Sequence, residues 1–178
     1  MPRLFVGLRP PRELCTALLA ATGGVEGARW QGEAQLHLTL RFVGDVPAPE
    51  AEDLAAALGQ VRAAPFTLRL AGVGHFERKG RAHTLWAGVA PSPELAVLQA
   101  KVERVCQRVG LEPEPRKYAP HVTLARLPAS AGPIGGWLAE HGAFAAPPWP
   151  VSQFALVEST LGTGGSHYEP AVTYRLAP

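Results

Sequence analysis

A four-residue motif occurs twice in this chain, as HLTL beginning at His37 and as HVTL beginning at His121. The first copy lies in a stretch of alternating polar and apolar residues, the pattern of a β-strand with one buried face. Side chains two residues apart on a strand point the same way, so Thr39 and Arg41 share the face of His37, and Thr123 shares the face of His121. Each copy is therefore predicted to present an imidazole and a hydroxyl on the face opposite the core.

The order of the predicted elements repeats around these two strands. Helix, histidine-containing strand, helix, strand, strand occurs once in residues 13–90 and again in residues 92–176. A chain of 178 residues, 47% of them hydrophobic, can bury a substantial core and is within the size range of one domain. We expect residues 1–178 to form a single domain of two related halves, packed so that the two histidine strands meet.

Local signals place the remaining elements. Ser92 and Pro93 suit the N-cap and first position of a helix that Gly110 closes, and the polar ERKGR segment is predicted to be a hairpin tip. The full prediction is strands over residues 3–8, 35–43, 66–73, 84–89, 118–127, 151–159 and 171–176, and helices over residues 13–22, 49–61, 93–109 and 134–140.

Net charge, cysteine spacing and the length of the apolar stretches limit which partners and which cellular location we expect. The formal net charge is only +2, so no overall positive field attracts nucleic acid, although a local patch could still hold a phosphate. Cys15 and Cys106 have no CxxC partner and are expected to be free structural thiols. The N-terminal apolar run is short and broken by prolines, and no stretch is long enough to span a bilayer. We therefore expect a cytoplasmic protein with no membrane partner.

Two imidazoles and two hydroxyls around one cleft suit a reaction that needs both a general base and a general acid, such as phosphodiester cleavage. Histidine titrates near neutral pH, so one imidazole can accept a proton from water while the other donates one to the leaving oxygen. The hydroxyls of Thr39 and Thr123 would donate hydrogen bonds to the phosphate. Arg126 also suits a phosphate, but it lies an odd number of residues beyond His121 and would face away unless the strand bends near Ala125.

Other residues of the chain leave two interpretations open. Two basic sets are typical of solvated surfaces, with RNA contact as the alternative: Lys101, Arg104 and Arg108, and Arg78, Lys79 and Arg81. Four aromatic residues suit either base stacking or core packing, namely Trp30, Phe76, Trp149 and Tyr168, and we retain Phe76 and Tyr168 as candidates for base stacking. The remaining histidines, at positions 75, 83, 141 and 167, share no ligand spacing, so no metal site is expected.

Three segments resemble one known family. HLTLRFVG, PHVTLAR and LVESTLGTGGSHYEP are similar to the two-histidine phosphoesterases, specifically the RNA 2′,3′-cyclic phosphodiesterases also called 2′-5′ RNA ligases. The resemblance implies an α+β fold of two pseudo-symmetric lobes, each an antiparallel sheet with helices on its outer face, and an active-site cleft between the lobes. It also implies hydrolysis of a terminal 2′,3′-cyclic phosphate to a 2′-phosphate without a metal or other cofactor.

The same resemblance assigns residues and partners. His37 and His121 correspond to the catalytic pair, with His121 as the base and His37 as the acid, and Thr39, Thr123 and Arg126 correspond to the phosphate contacts. The expected substrates are RNA with 2′,3′-cyclic phosphate ends or small cyclic nucleotides, and the expected state is a monomer. One alternative is a non-catalytic module that binds RNA ends or nucleotides, although this chain retains both histidines and both threonines. Another is 2′-5′ RNA ligation, which reverses the same chemistry at the same site.

Overall fold

A computed structural model describes all of residues 1–178. The helices are α1 (Arg12–Ala20), α2 (Ala48–Leu58), α3 (Pro93–Arg108) and α4 (Gly135–His141). The strands are β1 (Arg3–Leu8), β2 (Arg29–Trp30), β3 (Leu38–Asp45), β4 (Phe66–Leu68), β5 (Leu70–Arg78), β6 (Arg81–Val89), β7 (His121–Arg126), β8 (Trp149–Val151), β9 (Gln153–Gly162) and β10 (Gly165–Arg175).

The main sheet consists of two antiparallel halves. Its strand order is β10-β9-β1-β3-β7-β6-β5, with β2 also beside β7, and β4 and β8 form a separate two-stranded sheet. A single residue pair, Leu38 with Val122, joins β3 to β7. The strands therefore fall into two lobes, and the lobes meet where the two histidine motifs come together. The predicted α+β fold of two antiparallel lobes is confirmed.

The sequence repeats and the lobes are not the same units. The β5–β6 hairpin from residues 13–90 pairs with β7, which carries the second histidine motif. The β9–β10 hairpin from residues 92–176 pairs with β1, and β1 pairs with β3, which carries the first motif. Each lobe thus combines a histidine strand from one repeat with a hairpin from the other. The division into repeats at residues 13–90 and 92–176 stays a prediction.

One apolar cluster supports both histidine strands. On helix α3, the Ser92 hydroxyl accepts a hydrogen bond from the amide of Leu95 at 3.1 Å, as predicted for the N-cap, and the apolar stripe of the helix is buried. The residues in and next to β3 and β7 that enter the same cluster are Leu36, Leu38, Leu40, Val122 and Leu124, each 1% exposed or less. Burial of a leucine side chain stabilises a fold by about 1.5–3 kcal/mol. The motif histidines and threonines are therefore held on the opposite face of a strongly anchored pair of strands.

Several predicted boundaries were wrong for identifiable reasons. The strand expected over residues 66–73 is divided at Arg69 between β4 and β5, which belong to different sheets. The strand expected from residue 35 begins at Leu38, because Glu33–Gln35 forms a 3₁₀ turn. Strands β2 and β8, of two and three residues, were not predicted because they are too short to show alternation. The ERKGR hairpin tip is confirmed as a two-residue turn with positive φ at Lys79 and Gly80.

Cys15 and Cys106 are free and buried, as predicted. Burial raises the pKa of the Cys15 thiol and raises that of Cys106 to about 11, so both are protonated at neutral pH. No helix combines the length and apolarity needed to cross a membrane.

Candidate active site

The two motifs face each other where the lobes join. The pair that links β3 to β7 is Leu38 with Val122, the second residue of each motif, and both residues are fully buried. Residues that flank an antiparallel pair also oppose each other, so His37 lies across from Thr123 and His121 lies across from Thr39. All four side chains point away from the buried pair, and each is partly accessible to solvent. The structure therefore brings together the four residues that the doubled motif predicted.

Each imidazole is held by a main-chain carbonyl two residues before it. Nδ1 of His37 lies 2.8 Å from the carbonyl oxygen of Gln35, and Nδ1 of His121 lies 2.7 Å from that of Ala119. In the neutral ring Nδ1–H donates to the carbonyl, so Nε2 carries the free lone pair. Both Nε2 atoms can therefore accept a proton or, once protonated, donate one. Sequence reasoning could not identify these carbonyls, because main-chain groups have no side-chain signature.

The surroundings of both imidazoles favour the neutral form. The pKa of His37 is lowered to about 4, chiefly by burial; the hydrogen bond to Gln35 opposes this shift, and the positive charges of Arg126 and His121 add to it. Burial also lowers the pKa of His121, and the charge of Arg126 acts in the same direction. In the free protein both rings are neutral at pH 7. An anion bound between them would raise both pKa values.

A β-bulge turns Arg126 toward the two histidines. In the β6–β7 ladder the partners of Thr123 and Ala125 are adjacent residues, so Leu124 is an extra residue on β7. Leu124 and Ala125 are both fully buried, which moves the alternation of the strand by one residue. The bend predicted near Ala125 is therefore present, and Arg126 lies close enough for its charge to act on both imidazoles.

Two further polar residues support Arg126. Nη1 of Arg126 donates to the hydroxyl of Thr84 at 3.3 Å, and this hydroxyl also lies 2.8 Å from Nδ1 of His83. Thr84 is 1% exposed, so these two partners satisfy a buried hydroxyl. Sequence reasoning found no ligand spacing for His83 and assigned it no role, and it did not single out Thr84. The sequence carries no signal for this role, because the contact between Thr84 and Arg126 depends on which residues of β6 and β7 pair.

Aromatic rings flank each histidine. Tyr168 packs edge-on against His37 with ring centroids 5.0 Å apart, and Phe76 packs edge-on against His121 at 4.8 Å. Phe5, which the sequence did not single out, stacks on His37 at 4.4 Å. The structure thus brings both retained base-stacking candidates to the site, while base stacking itself stays a prediction.

The other two aromatic candidates belong to the core. Trp149 is 2% exposed, and Trp30 packs against the buried ring of Trp137 at a centroid distance of 5.9 Å. The Trp149 ring is therefore not available to a nucleobase, and the half-buried Trp30 ring packs against the core. In contrast, the unpredicted Trp86 lies beside Phe76, with ring centroids 5.5 Å apart, and covers Gly74 so closely that a Cβ there would lie 2.3 Å from the indole.

A groove of about 490 Å³ opens from the histidine pair on the side of His121 and Thr39. Tyr118 lines it and donates its hydroxyl to the carbonyl oxygen of Thr39 at 2.8 Å, and burial raises the pKa of this phenol. Arg41, expected on the face of the histidines, is instead buried, and its Nε donates to Glu103 of α3 at 2.8 Å. This ion pair fastens β3 to α3 beside the groove.

The basic sets singled out in the sequence lie on the surface. Lys101, Arg104 and Arg108 line a pocket of about 220 Å³ together with Arg62, whose carbonyl oxygen accepts a hydrogen bond from Lys101 Nζ. At the hairpin tip, Arg78, Lys79 and Arg81 are exposed. RNA contact by either set stays a prediction. No group of three or more histidine, cysteine or acidic side chains is close enough to hold a metal ion.

The two-lobed fold is shared with solved phosphoesterases. A crystal structure of Escherichia coli LigT in complex with 3′-AMP is 26% identical, with a TM-score of 0.82 over all of both chains. Residues 10–163 match the model of the 2′-5′ RNA ligase superfamily. The chain belongs to this superfamily, and the resemblance seen in its sequence is confirmed.

Two proteins that are similar in sequence to this chain share the name RNA 2′,3′-cyclic phosphodiesterase. The RNA 2′,3′-cyclic phosphodiesterase of Thermus thermophilus is 34% identical over 183 residues, which cover 93% of this chain and 86% of that protein. The protein of the same name from Aeropyrum pernix is 38% identical over 96 residues. That match spans 53% of this chain and about half of the relative, 54% of its length.

Proposed function

We propose that this protein hydrolyses 2′,3′-cyclic phosphates, at RNA ends or on small nucleotides, to 2′-phosphates. The observation that carries the proposal is the matched pair of imidazoles, each with Nδ1 on a carbonyl and Nε2 free, on facing strands with Arg126 beside them. The names of the Thermus thermophilus and Aeropyrum pernix relatives support the same substrate class. A module that only bound RNA ends would have no need of two free imidazoles in this arrangement.

The proposed mechanism is an in-line displacement at phosphorus. Neutral His121 accepts a proton from water as the water oxygen forms a bond to phosphorus, and protonated His37 donates its proton to the 3′ oxygen as the P–O3′ bond breaks. The phosphate then remains on the 2′ oxygen. The family resemblance gives this assignment of base and acid. The negative charge of the bound phosphate raises the pKa of His37 from about 4, so that the ring takes up from solvent the proton that it later donates.

Threonine and arginine side chains stabilise the phosphate in this proposal. The hydroxyls of Thr39 and Thr123 donate to the non-bridging oxygens, and Arg126 neutralises the charge that develops on them. Thr84 and His83 hold Arg126 on the side of the site. Side chains thus supply both proton transfers and the charge stabilisation, so the proposal includes no metal ion. Ligation through a 2′-5′ bond would be the reverse of this reaction at the same residues.

The experiment is incubation of the purified protein with 2′,3′-cyclic AMP in excess EDTA. The product is compared with 2′-AMP and 3′-AMP by chromatography. We expect 2′-AMP, formed at a rate that EDTA does not change. A 3′-phosphate product would contradict the assignment of the leaving oxygen, and activity that EDTA abolishes and a metal restores would contradict the metal-free mechanism. A monomeric state and a cytoplasmic location remain predictions that this assay does not address.

A further inference from the structure

Arg29 lies directly across from Arg126. Strand β2 pairs with β7 so that Arg29 opposes Arg126 and Trp30 opposes Ala125. Trp30 packs on the core and Ala125 is fully buried, so this pair faces inward. Neighbouring residues on a strand point to opposite faces, so Arg29 and Arg126 share the outward face, where both are exposed.

No carboxylate compensates these two charges. Directly opposed residues on antiparallel strands have Cβ atoms about 4.5–5.5 Å apart, and like charges in such pairs destabilise the sheet. Neither guanidinium has a carboxylate oxygen within 4.0 Å. The side-chain hydrogen bond of Arg126 goes to the Thr84 hydroxyl, which is uncharged. Two adjacent guanidinium groups without counter-charges are suited to phosphate oxygens.

The pair lies next to the candidate active site. Arg126 acts on the pKa of both imidazoles, and Thr123, three residues earlier on the same strand, lies across from His37. A cyclic phosphate carries one negative charge, which Arg126 can neutralise. Arg29 is therefore free for a second phosphate. In a polynucleotide the next phosphate lies a few ångströms along the strand, and the directly opposed positions of Arg29 and Arg126 let their side chains reach neighbouring phosphates.

We propose that Arg29 binds the phosphodiester that precedes the cyclic end of an RNA substrate, while Arg126 binds the cyclic phosphate. The inference rests on the proposed function and extends it. A cyclic mononucleotide lacks this second phosphate, so Arg29 distinguishes an RNA end from a free nucleotide. The same arrangement places the rest of the RNA chain on the His37 side, where the 3′ oxygen leaves.

The test compares two substrates, 2′,3′-cyclic AMP and a short RNA ending in a 2′,3′-cyclic phosphate. Arg29→Gln removes the charge and keeps most of the side chain, and Arg12→Gln removes the same charge from an exposed position on α1 as a control. For Arg29→Gln we expect kcat/KM to fall about tenfold for the RNA, through KM, and less than twofold for the nucleotide. The slope of log kcat/KM against log salt for the RNA should decrease by about 0.7.

Three results would overturn the inference. Equal losses on both substrates would place Arg29 at the cyclic phosphate itself. No loss on the RNA would show that Arg29 does not bind it, and an equal effect of Arg12→Gln would indicate only a general charge effect. The wild-type rate with 2′,3′-cyclic AMP tests the proposed function separately. If the wild type does not hydrolyse it, binding of a fluorescent RNA with a 2′-phosphate end still measures Arg29, with weaker binding of Arg29→Gln expected.

Discussion

His37 and His121 are anchored in the same way but are shielded to different degrees. Both donate Nδ1–H to a carbonyl two residues upstream, whereas only His37 has a ring, that of Phe5, stacked on it at 4.4 Å. Burial lowers both pKa values, that of His37 to about 4. Both histidine rings are therefore neutral in the free protein, and the pair takes up its catalytic proton when the anionic substrate binds.

This electrostatic arrangement predicts the pH dependence of kcat/KM. The reactive free enzyme carries one proton on the histidine pair, and both pKa values lie below the ordinary 6.5. As pH rises above the higher of these values, that form is lost, so kcat/KM should fall about tenfold per pH unit above about pH 6.5. The limb for kcat should lie at higher pH, because the bound phosphate raises the pKa values. Rates at subsaturating substrate from pH 5 to 9 check this, and a flat kcat/KM up to pH 8 would contradict it.

The β6–β7 ladder positions Arg126 and the aromatic residues beside His121. The bulge at Leu124 turns Arg126 toward the two histidines, and the ring of Trp86 packs closely against Gly74 of β5 beside Phe76. Phe76 in turn contacts His121. The wall behind His121 therefore depends on the absence of a side chain at position 74.

Gly74→Ala tests this packing. The added Cβ would lie 2.3 Å from the Trp86 indole, which must move, so we expect the free energy of unfolding to fall by about 1–3 kcal/mol. Displacement of Phe76 should also lower turnover. Urea denaturation measures the first effect and a cyclic nucleotide assay the second. The control is Gly136→Ala in α4, where a Cβ meets nothing within 4 Å; equal effects of the two substitutions would refute the packing argument.

The sequence predicted those parts of the site that local pattern determines. The doubled motif identified His37, Thr39, His121 and Thr123, because alternation alone decides which face of a strand they occupy. Arg29 and Thr84 could not be predicted, since their proximity to Arg126 depends on strand pairing between distant segments. Arg41 was misplaced because an irregularity in the β1–β3 ladder interrupts the alternation there.

For the whole molecule, the neutral form of His37 links folding to pH. The pKa of His37 is about 4 in the folded protein and about 6.5 in an unfolded chain, so protonation favours the unfolded state. The stabilisation is complete above pH 6.5 and is lost as pH falls toward 4. Its size is about 3 kcal/mol, from about 1.36 kcal/mol per pKa unit.

This linkage is measured by comparing variants. Wild-type protein should lose about 3 kcal/mol more unfolding free energy between pH 7 and pH 4 than His37→Gln, which has no titrating group at this position. The exposed His167→Gln serves as the control and should follow the wild type. Identical pH dependence in wild type and His37→Gln would show that His37 is not held neutral in the folded protein.

The proposed reaction depends on acid and base catalysis by two facing histidines on a cyclic phosphate. Its most direct test is the turnover of 2′,3′-cyclic AMP by His37→Ala and His121→Ala, with circular dichroism to show that both variants are folded. Removal of a positioned acid or base typically costs 10²–10⁴-fold, so we predict a loss of about that size in each variant. The double variant should be little slower than either single one, because the two groups act as a unit. Near wild-type turnover in either folded variant would show that the missing imidazole is neither the catalytic acid nor the catalytic base.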